Sequence, residues 1–148
     1  MHIAIGNDHR GALIKKKLQA SLEKLGHQVI DDGANEGDDC DYPDVAAVVA
    51  KRIANKEVDR GILICGTGIG MAIAANKING VRATTCGDVE TAKICRRHND
   101  VNVLCLAGEF VDHGDFEPVI QAWLETEFEG GRHDRRVNKI TNLESRCN

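Results

Sequence analysis

Five short apolar runs, each followed by a stretch long enough for a helix, constrain the fold of this chain most. They are 2–6 (HIAIG), 28–31 (QVID), 61–65 (GILIC), 81–86 (VRATTC) and 102–106 (NVLCL). Several are nearly continuous rather than alternating, as in strands covered on both faces. The stretches between them read as helices over 12–25, 44–55, 69–78, 89–97 and 117–128. A last polar helix is expected over about 134–146. In the first, Leu18, Leu22 and Leu25 carry an apolar face that Gly26 ends. In the second, Val45, Val48, Val49 and Ile53 repeat at helical spacing behind Pro43, a start signal. Strand and helix alternate throughout. The order predicts an α/β fold, a three-layer doubly wound sandwich with a five-stranded parallel sheet, Rossmann-like in its winding. The 148 residues hold no repeat or low-complexity tract, so one domain over 1–148 is expected.

Composition removes several classes of function. Hydrophobic content is 42%, charged content 28% and formal net charge -4, the profile of a globular protein with no basic excess. Nucleic acid is therefore not an expected partner. The apolar runs are too short for a bilayer, and Gly6, Asn7 and Asp8 interrupt any signal-peptide shape at the start. A cytoplasmic, non-membrane protein is expected. The six cysteines include no C-x-x-C pair, so zinc or thioredoxin-type chemistry lacks its spacing, and free thiols are expected. The histidines offer no pair on one helix face, and no metal is expected.

Ligands of such folds sit at the carboxyl ends of the strands. Two stretches fall there: Asn7-Asp8-His9, and the loop from Cys65 in ICGTGIGMAIAANK. That loop is not a dinucleotide fingerprint or a Cys-x5-Arg phosphatase loop, because position 71 is Met, and it matches no P-loop string. Its glycines still suit an anion. Gly66, Gly68 and Gly70 lack Cβ, so backbone N–H groups can approach a ligand at the start of a helix. The same positive end favours the thiolate of Cys65 as nucleophile or base. A buried thiol in an ordinary turn is the plainer alternative. His98 near a helix end can carry protons, and Arg132 and Arg136, spaced i, i+4, can grip a phosphate from one face. Each of these alone is common on a solvated surface.

Together the strings resemble the ribose-5-phosphate isomerase B family, which includes galactose-6-phosphate and allose-6-phosphate isomerases. The matching stretches are Asn7 to His9, Asp41-Tyr42-Pro43, GILICGTGIG from Gly61, Ala74 to Lys77, RHND from Arg97, and EGGRH from Glu129. They run in order over nearly the whole chain. The resemblance implies an aldose–ketose isomerase that interconverts ribose 5-phosphate and ribulose 5-phosphate without metal or organic cofactor. It assigns Cys65 as the base that moves a proton between C1 and C2. Backbone N–H groups of Gly66, Gly68, Ile69 and Gly70 would hold the cis-enediolate, and Thr67 would shift protons between the substrate oxygens. His98 would open the sugar ring, with Asp8 nearby. His9, Arg132 and Arg136 would contact phosphate, while Tyr42 and Asn99 line the sugar. The family forms homodimers with shared sites, and pairing into tetramers is a further possibility. The Cys65 side comes from one subunit and the His98 and Arg132 side from the other, with the last helix packing on the partner.

One position departs from the family pattern. Members commonly carry a further phosphate-binding arginine after the fifth strand, where this chain has Glu109. A glutamate there repels a phosphate dianion unless it points away or pairs with Arg132 or Arg136. Isomerisation of another sugar, phosphorylated or not, is accordingly an alternative. A phosphate-binding module without turnover and a redox-sensing thiol protein rank behind it.

Overall fold

A computed structural model describes residues 1–109 and 116–145. The elements are β1 (His2–Asn7), α1 (Ala12–Lys24), β2 (Gln28–Asp31), α2 (Tyr42–Ala54), β3 (Arg60–Cys65), α3 (Ile69–Ala75), β4 (Ala83–Thr85), α4 (Val89–Asn99), β5 (Val103–Ala107), α5 (Glu117–Glu125) and α6 (Arg132–Glu144). The five strands lie in the order β2-β1-β3-β5-β4. Every neighbouring pair is parallel. The expected doubly wound sheet is therefore present, with both terminal strands at interior or next-to-edge places and β2 and β4 at the edges.

The sheet has a core on each face. Ile3, Ile5, Ile62, Ile64, Leu104 and Leu106 pack with Leu18 and Leu22 of α1, Ala92 of α4, and Ile120 and Trp123 of α5. Their strand neighbours Ala4, Leu63, Cys65, Val103 and Cys105 turn the other way, against Val45 and Val49 of α2 and Met71 of α3. Alternation along each strand decides which side chain meets which layer. It aims Cys65 at the layer built by α2 and α3.

Helix α2 follows from its sequence. Asp41 precedes it in extended backbone, Pro43 lies in its first turn, and Val45, Ala46, Val49, Ala50 and Ile53 form its buried stripe. It lies so close to the sheet that two strand residues must lack Cβ. A Cβ on Gly6 would meet Val45 Cγ1 at 2.7 Å, and one on Gly61 would meet Val49 Cγ1 at 2.8 Å. This contact brings the start of α2, and so Tyr42, over the end of β3.

Two sequence expectations change here. Leu25 is not part of the α1 face; it is 54% exposed, and the helix ends at Lys24. The third position of that face is Lys15, buried with its ammonium on Asp31 Oδ1 at 2.9 Å and the Ala34 carbonyl at 3.0 Å. The last helix begins at Arg132 rather than about Asp134, because Gly130 and Gly131 take positive φ (67° and 59°) and finish the turn earlier. Its expected end at residue 146, like Cys147, lies outside the described residues. The five described cysteines are free thiols. Among the described residues no helix is long and apolar enough to cross a membrane.

The close approach of α2 gives a test. Gly61→Ala should destabilise the protein by about 1–3 kcal/mol through overpacking. In a Gly61→Ala/Val49→Ala double variant the losses, read by urea unfolding, should be clearly less than additive. Additive losses would mean that the two positions do not meet.

Candidate active site

The carboxyl edge of the sheet gathers one group of polar side chains. Cys65 ends β3, is 5% exposed, and its Sγ accepts the Gly68 N–H at 3.2 Å. Gly68 can present that donor because its φ is 75°, in the left-handed region, and it sits tightly on β5. A Cβ there would lie 3.2 Å from the Leu106 carbonyl carbon. The Ile69 N–H goes to Thr67 Oγ1 at 3.2 Å. Tyr42 leans across the loop, so that a Cβ on Gly70 would strike its ring at 2.6 Å.

The neighbouring strand supplies Asp8. It is 6% exposed, its N–H bonds the Ile64 carbonyl at 3.1 Å, and its carboxylate accepts the Arg10 N–H at 3.0 Å. Asn7 braces this turn from below, its side-chain N–H groups going to the Asp8 carbonyl at 2.7 Å and the Ala34 carbonyl at 3.0 Å. His9 is exposed at the rim. Cys40 lies alongside: burial pushes its thiol up from the ordinary value, against a lowering hydrogen bond from the His9 backbone and assisted by the Asp8 charge.

A second group gathers at the amino edge. Each crossover helix of a parallel sheet returns the chain to that edge, so the C-terminal end of α4 arrives there with His98 and Asn99. Arg96, 3% exposed, locks the arrival. Its guanidinium holds Asp100 Oδ1 at 2.7 Å, the Val101 carbonyl at 2.6 Å and the Thr126 carbonyl at 3.2 Å. Helix α4, the start of β5 and the chain leaving α5 are thus tied through one side chain. The Glu129 N–H then bonds the Arg97 carbonyl at 3.0 Å. His98 and His133 stack with centroids 4.3 Å apart and planes 7° from parallel. Glu129 Oε2 is 3.8 Å from His98 Nε2, and Arg132 Nε donates to His133 Nε2 at 3.3 Å. Burial, then the neighbouring His98 and Arg132, hold the His133 imidazole below its ordinary pKa, so it is neutral at pH 7. His98, Glu129 and His133 have ligand atoms within 4.8 Å of one another. Parallel stacking suits them poorly to a shared ion, which needs both ring edges turned toward it.

The residues singled out in the sequence thus fall into two sets. Asp8, His9, Tyr42, Cys65, Gly66, Thr67, Gly68, Ile69 and Gly70 share the carboxyl edge. His98, Asn99, Arg132 and Arg136 share the amino edge, with both arginines exposed on α6. The six-residue strand β3 separates the edges by about 16 Å. Within one chain, then, Cys65 and His98 do not share a pocket. Glu109 also differs from expectation. It pairs with neither Arg132 nor Arg136; its carboxylate takes Arg10 Nη1 at 3.0 Å. Sequence reading passed over Arg10, Cys40, Glu129 and His133. The EGGRH string pointed to the last two, and a cation directly after His9 was the available signal for Arg10. Nothing local marked Cys40.

The chain has close relatives. It is 45% identical over 146 residues to ribose-5-phosphate isomerase B of Escherichia coli, covering 99% of this chain and 98% of that one. Among solved structures, Clostridium thermocellum ribose-5-phosphate isomerase B superposes with a TM-score of 0.96 at 42% identity, covering 100% of both chains. Ribose-5-phosphate isomerase B of Mycoplasma genitalium, solved with bound ribulose 5-phosphate, superposes with a TM-score of 0.91 at 42% identity, covering 97% of this chain and 96% of that one. The sequence profile described as Ribose/Galactose Isomerase matches residues 3–140. With that match spanning nearly the whole sheet and both polar edges, the chain belongs to the ribose/galactose isomerase family.

Proposed function

We propose that this protein interconverts ribose 5-phosphate and ribulose 5-phosphate through a cis-enediolate, with Cys65 as the base. The observation that carries the reading is the buried Cys65 sulfur, held by the Gly68 N–H beside a loop whose glycines leave the backbone open. A donor aimed at sulfur stabilises negative charge there. The thiolate takes the C2 proton of the open-chain aldose and returns it to C1. Between these steps the enediolate carries its charge on O1 and then O2, as Thr67 relays the hydroxyl proton from O2 to O1. The N–H groups of Gly66, Gly68, Ile69 and Gly70 stabilise that charge as it develops. Those of Gly68 and Ile69 rest on Cys65 and Thr67 until an oxygen replaces these partners. No metal or organic cofactor enters this scheme.

The ring must open first. In this reading His98 of the partner subunit moves the ring proton, with Asp8 beside the sugar and Tyr42 and the partner's Asn99 along it. His9, with Arg132 and Arg136 of the partner subunit, takes the phosphate. The separation of the two polar edges supports a homodimer whose sites each draw on both chains. The groove beside α6, where Ile140 and Leu143 are exposed, supports packing of that helix on a partner; in this reading residues 1–148 form a single domain and dimers can pair into tetramers. The cytoplasm is the proposed compartment. Isomerisation of allose 6-phosphate or galactose 6-phosphate is a second reading, supported by the acidic Glu109 beside the loop.

Two measurements test this, and a third tests the charge state of His133. Cys65→Ala should lower kcat on ribose 5-phosphate by about 10³-fold or more while circular dichroism and melting stay near wild type; near-native kcat would remove Cys65 as the base. Mixing Cys65→Ala with His98→Asn protein, after subunit exchange, should restore about a quarter of wild-type activity, since half the dimers are mixed and each has one intact site. No recovery would place each site within one chain. The third concerns pH. Because His133 is held below its unfolded pKa, the unfolded chain binds the extra proton. Stability is therefore full above about pH 6.5 and declines as pH falls through that value toward the folded pKa. His133→Gln should flatten that decline in melting temperature between about pH 7 and 5; an unchanged slope would show that His133 is not its source.

A further inference from the structure

We infer that Arg10 is a phosphate-binding residue of this site, held in place by Glu109. The inference rests on the proposed reading of the Cys65 pocket as a sugar-phosphate site. Two loops meet over the first residue of the glycine loop. From the β1 side, Arg10 is pinned by its N–H on the Asp8 carboxylate at 3.0 Å. From the β5 side, the Gly108 N–H bonds the Cys65 carbonyl at 2.7 Å and the Glu109 N–H bonds the Gly66 carbonyl at 3.1 Å. The two side chains then close on each other, Arg10 Nη1 to Glu109 Oε2 at 3.0 Å. They lie against Gly66 itself: a Cβ there would meet Oε2 at 3.0 Å and Nη1 at 3.2 Å. The pair stands one residue from Cys65 and next to His9.

Charge and donor geometry decide what the pair does. Glu109 alone would repel a dianion at this mouth. Arg10 cancels that charge and keeps capacity in reserve. A guanidinium has five N–H donors in a planar fork, and one nitrogen is taken by Glu109. The side chain is 51% exposed, so its remaining donors are accessible to a ligand from solvent. A fork fixed on one edge and open on the other suits a phosphate, whose oxygens accept paired N–H bonds. An exposed ion pair contributes little to stability, so the pair's position beside the loop is better explained by binding than by folding. The site thereby keeps a cation at the phosphate end although residue 109 is acidic.

The test measures binding of inorganic phosphate by calorimetry, and kcat and KM for ribose 5-phosphate and for free ribose. It compares wild type with Arg10→Gln, Arg10→Lys and the double variant Arg10→Gln/Glu109→Gln. Arg10→Gln should weaken phosphate binding and raise KM for ribose 5-phosphate by about tenfold or more, with kcat within about threefold and free ribose unaffected. Arg10→Lys should recover part of the loss. The double variant should stay weak, because a direct ligand is missing. Recovery of wild-type affinity in the double variant would overturn the inference, reducing Arg10 to a neutraliser of Glu109. So would unchanged phosphate binding in Arg10→Gln, or no phosphate binding by wild type. If wild type turns over no ribose 5-phosphate yet Arg10→Gln loses phosphate, the isomerase reading fails and the anion site stands.

Discussion

All five strands run in one direction, and the placement of every chemical group follows from that constraint. A parallel strand can be followed by another only after the chain has crossed back over the sheet. Turns that leave strands therefore collect at one edge, and helix ends that feed strands collect at the other. The first edge receives Asp8, Cys65 and the glycine loop; the second receives His98, Glu129 and the opening of α6. A chain wound this way cannot bring its thiol and its paired imidazoles together by itself. That separation is what motivates the proposed site shared between two chains, and Ile140 and Leu143 leave apolar surface exposed along α6.

The two edges are built differently. The carboxyl edge is shaped by what is missing. Gly6 and Gly61 let α2 sit low on the sheet, Gly70 makes room for the Tyr42 ring, and Gly66 makes room for the Arg10–Glu109 pair. Removing side chains exposes backbone donors, and a pocket lined by amides can stabilise charge that appears only along a reaction path. The amino edge is shaped by a buried cation. Arg96 spends its donors on Asp100, Val101 and Thr126, so that three segments distant in sequence share one anchor. The stacked pair of His98 and His133 rests on that anchor. Burial keeps His133 neutral, which removes one charge from a neighbourhood already holding Arg97, Arg132 and Arg136.

The fold was readable because its signals are local. Near-continuous apolar runs imply strands covered twice, and Val45, Val49 and Ile53 at helical spacing imply a helix lying on them. The errors also have local causes. Leu25 continues the apolar spacing of α1 but lies past the last turn that touches the sheet. Arg132 and His133 look polar enough for a loop, yet two glycines at positive φ have already ended the turn before them. The proposed site residues lie in the strings NDH, CGTGIG, RHND and EGGRH, because binding loops compress into short stretches.

The sequence alone determined the element order, the parallel sheet, the glycine loop behind Cys65 and the family. All of these depend on residue type and on spacing within a few residues. Only the tertiary structure decided which edge each motif occupies and which side chains meet across long gaps. Arg10 and Glu109 are 99 residues apart, and His98 and His133 come from separate helices. Such pairings depend on strand order and helix direction, which no local pattern encodes. A contact between distant residues is set by how the layers stack, and that is settled by the packing of the whole chain.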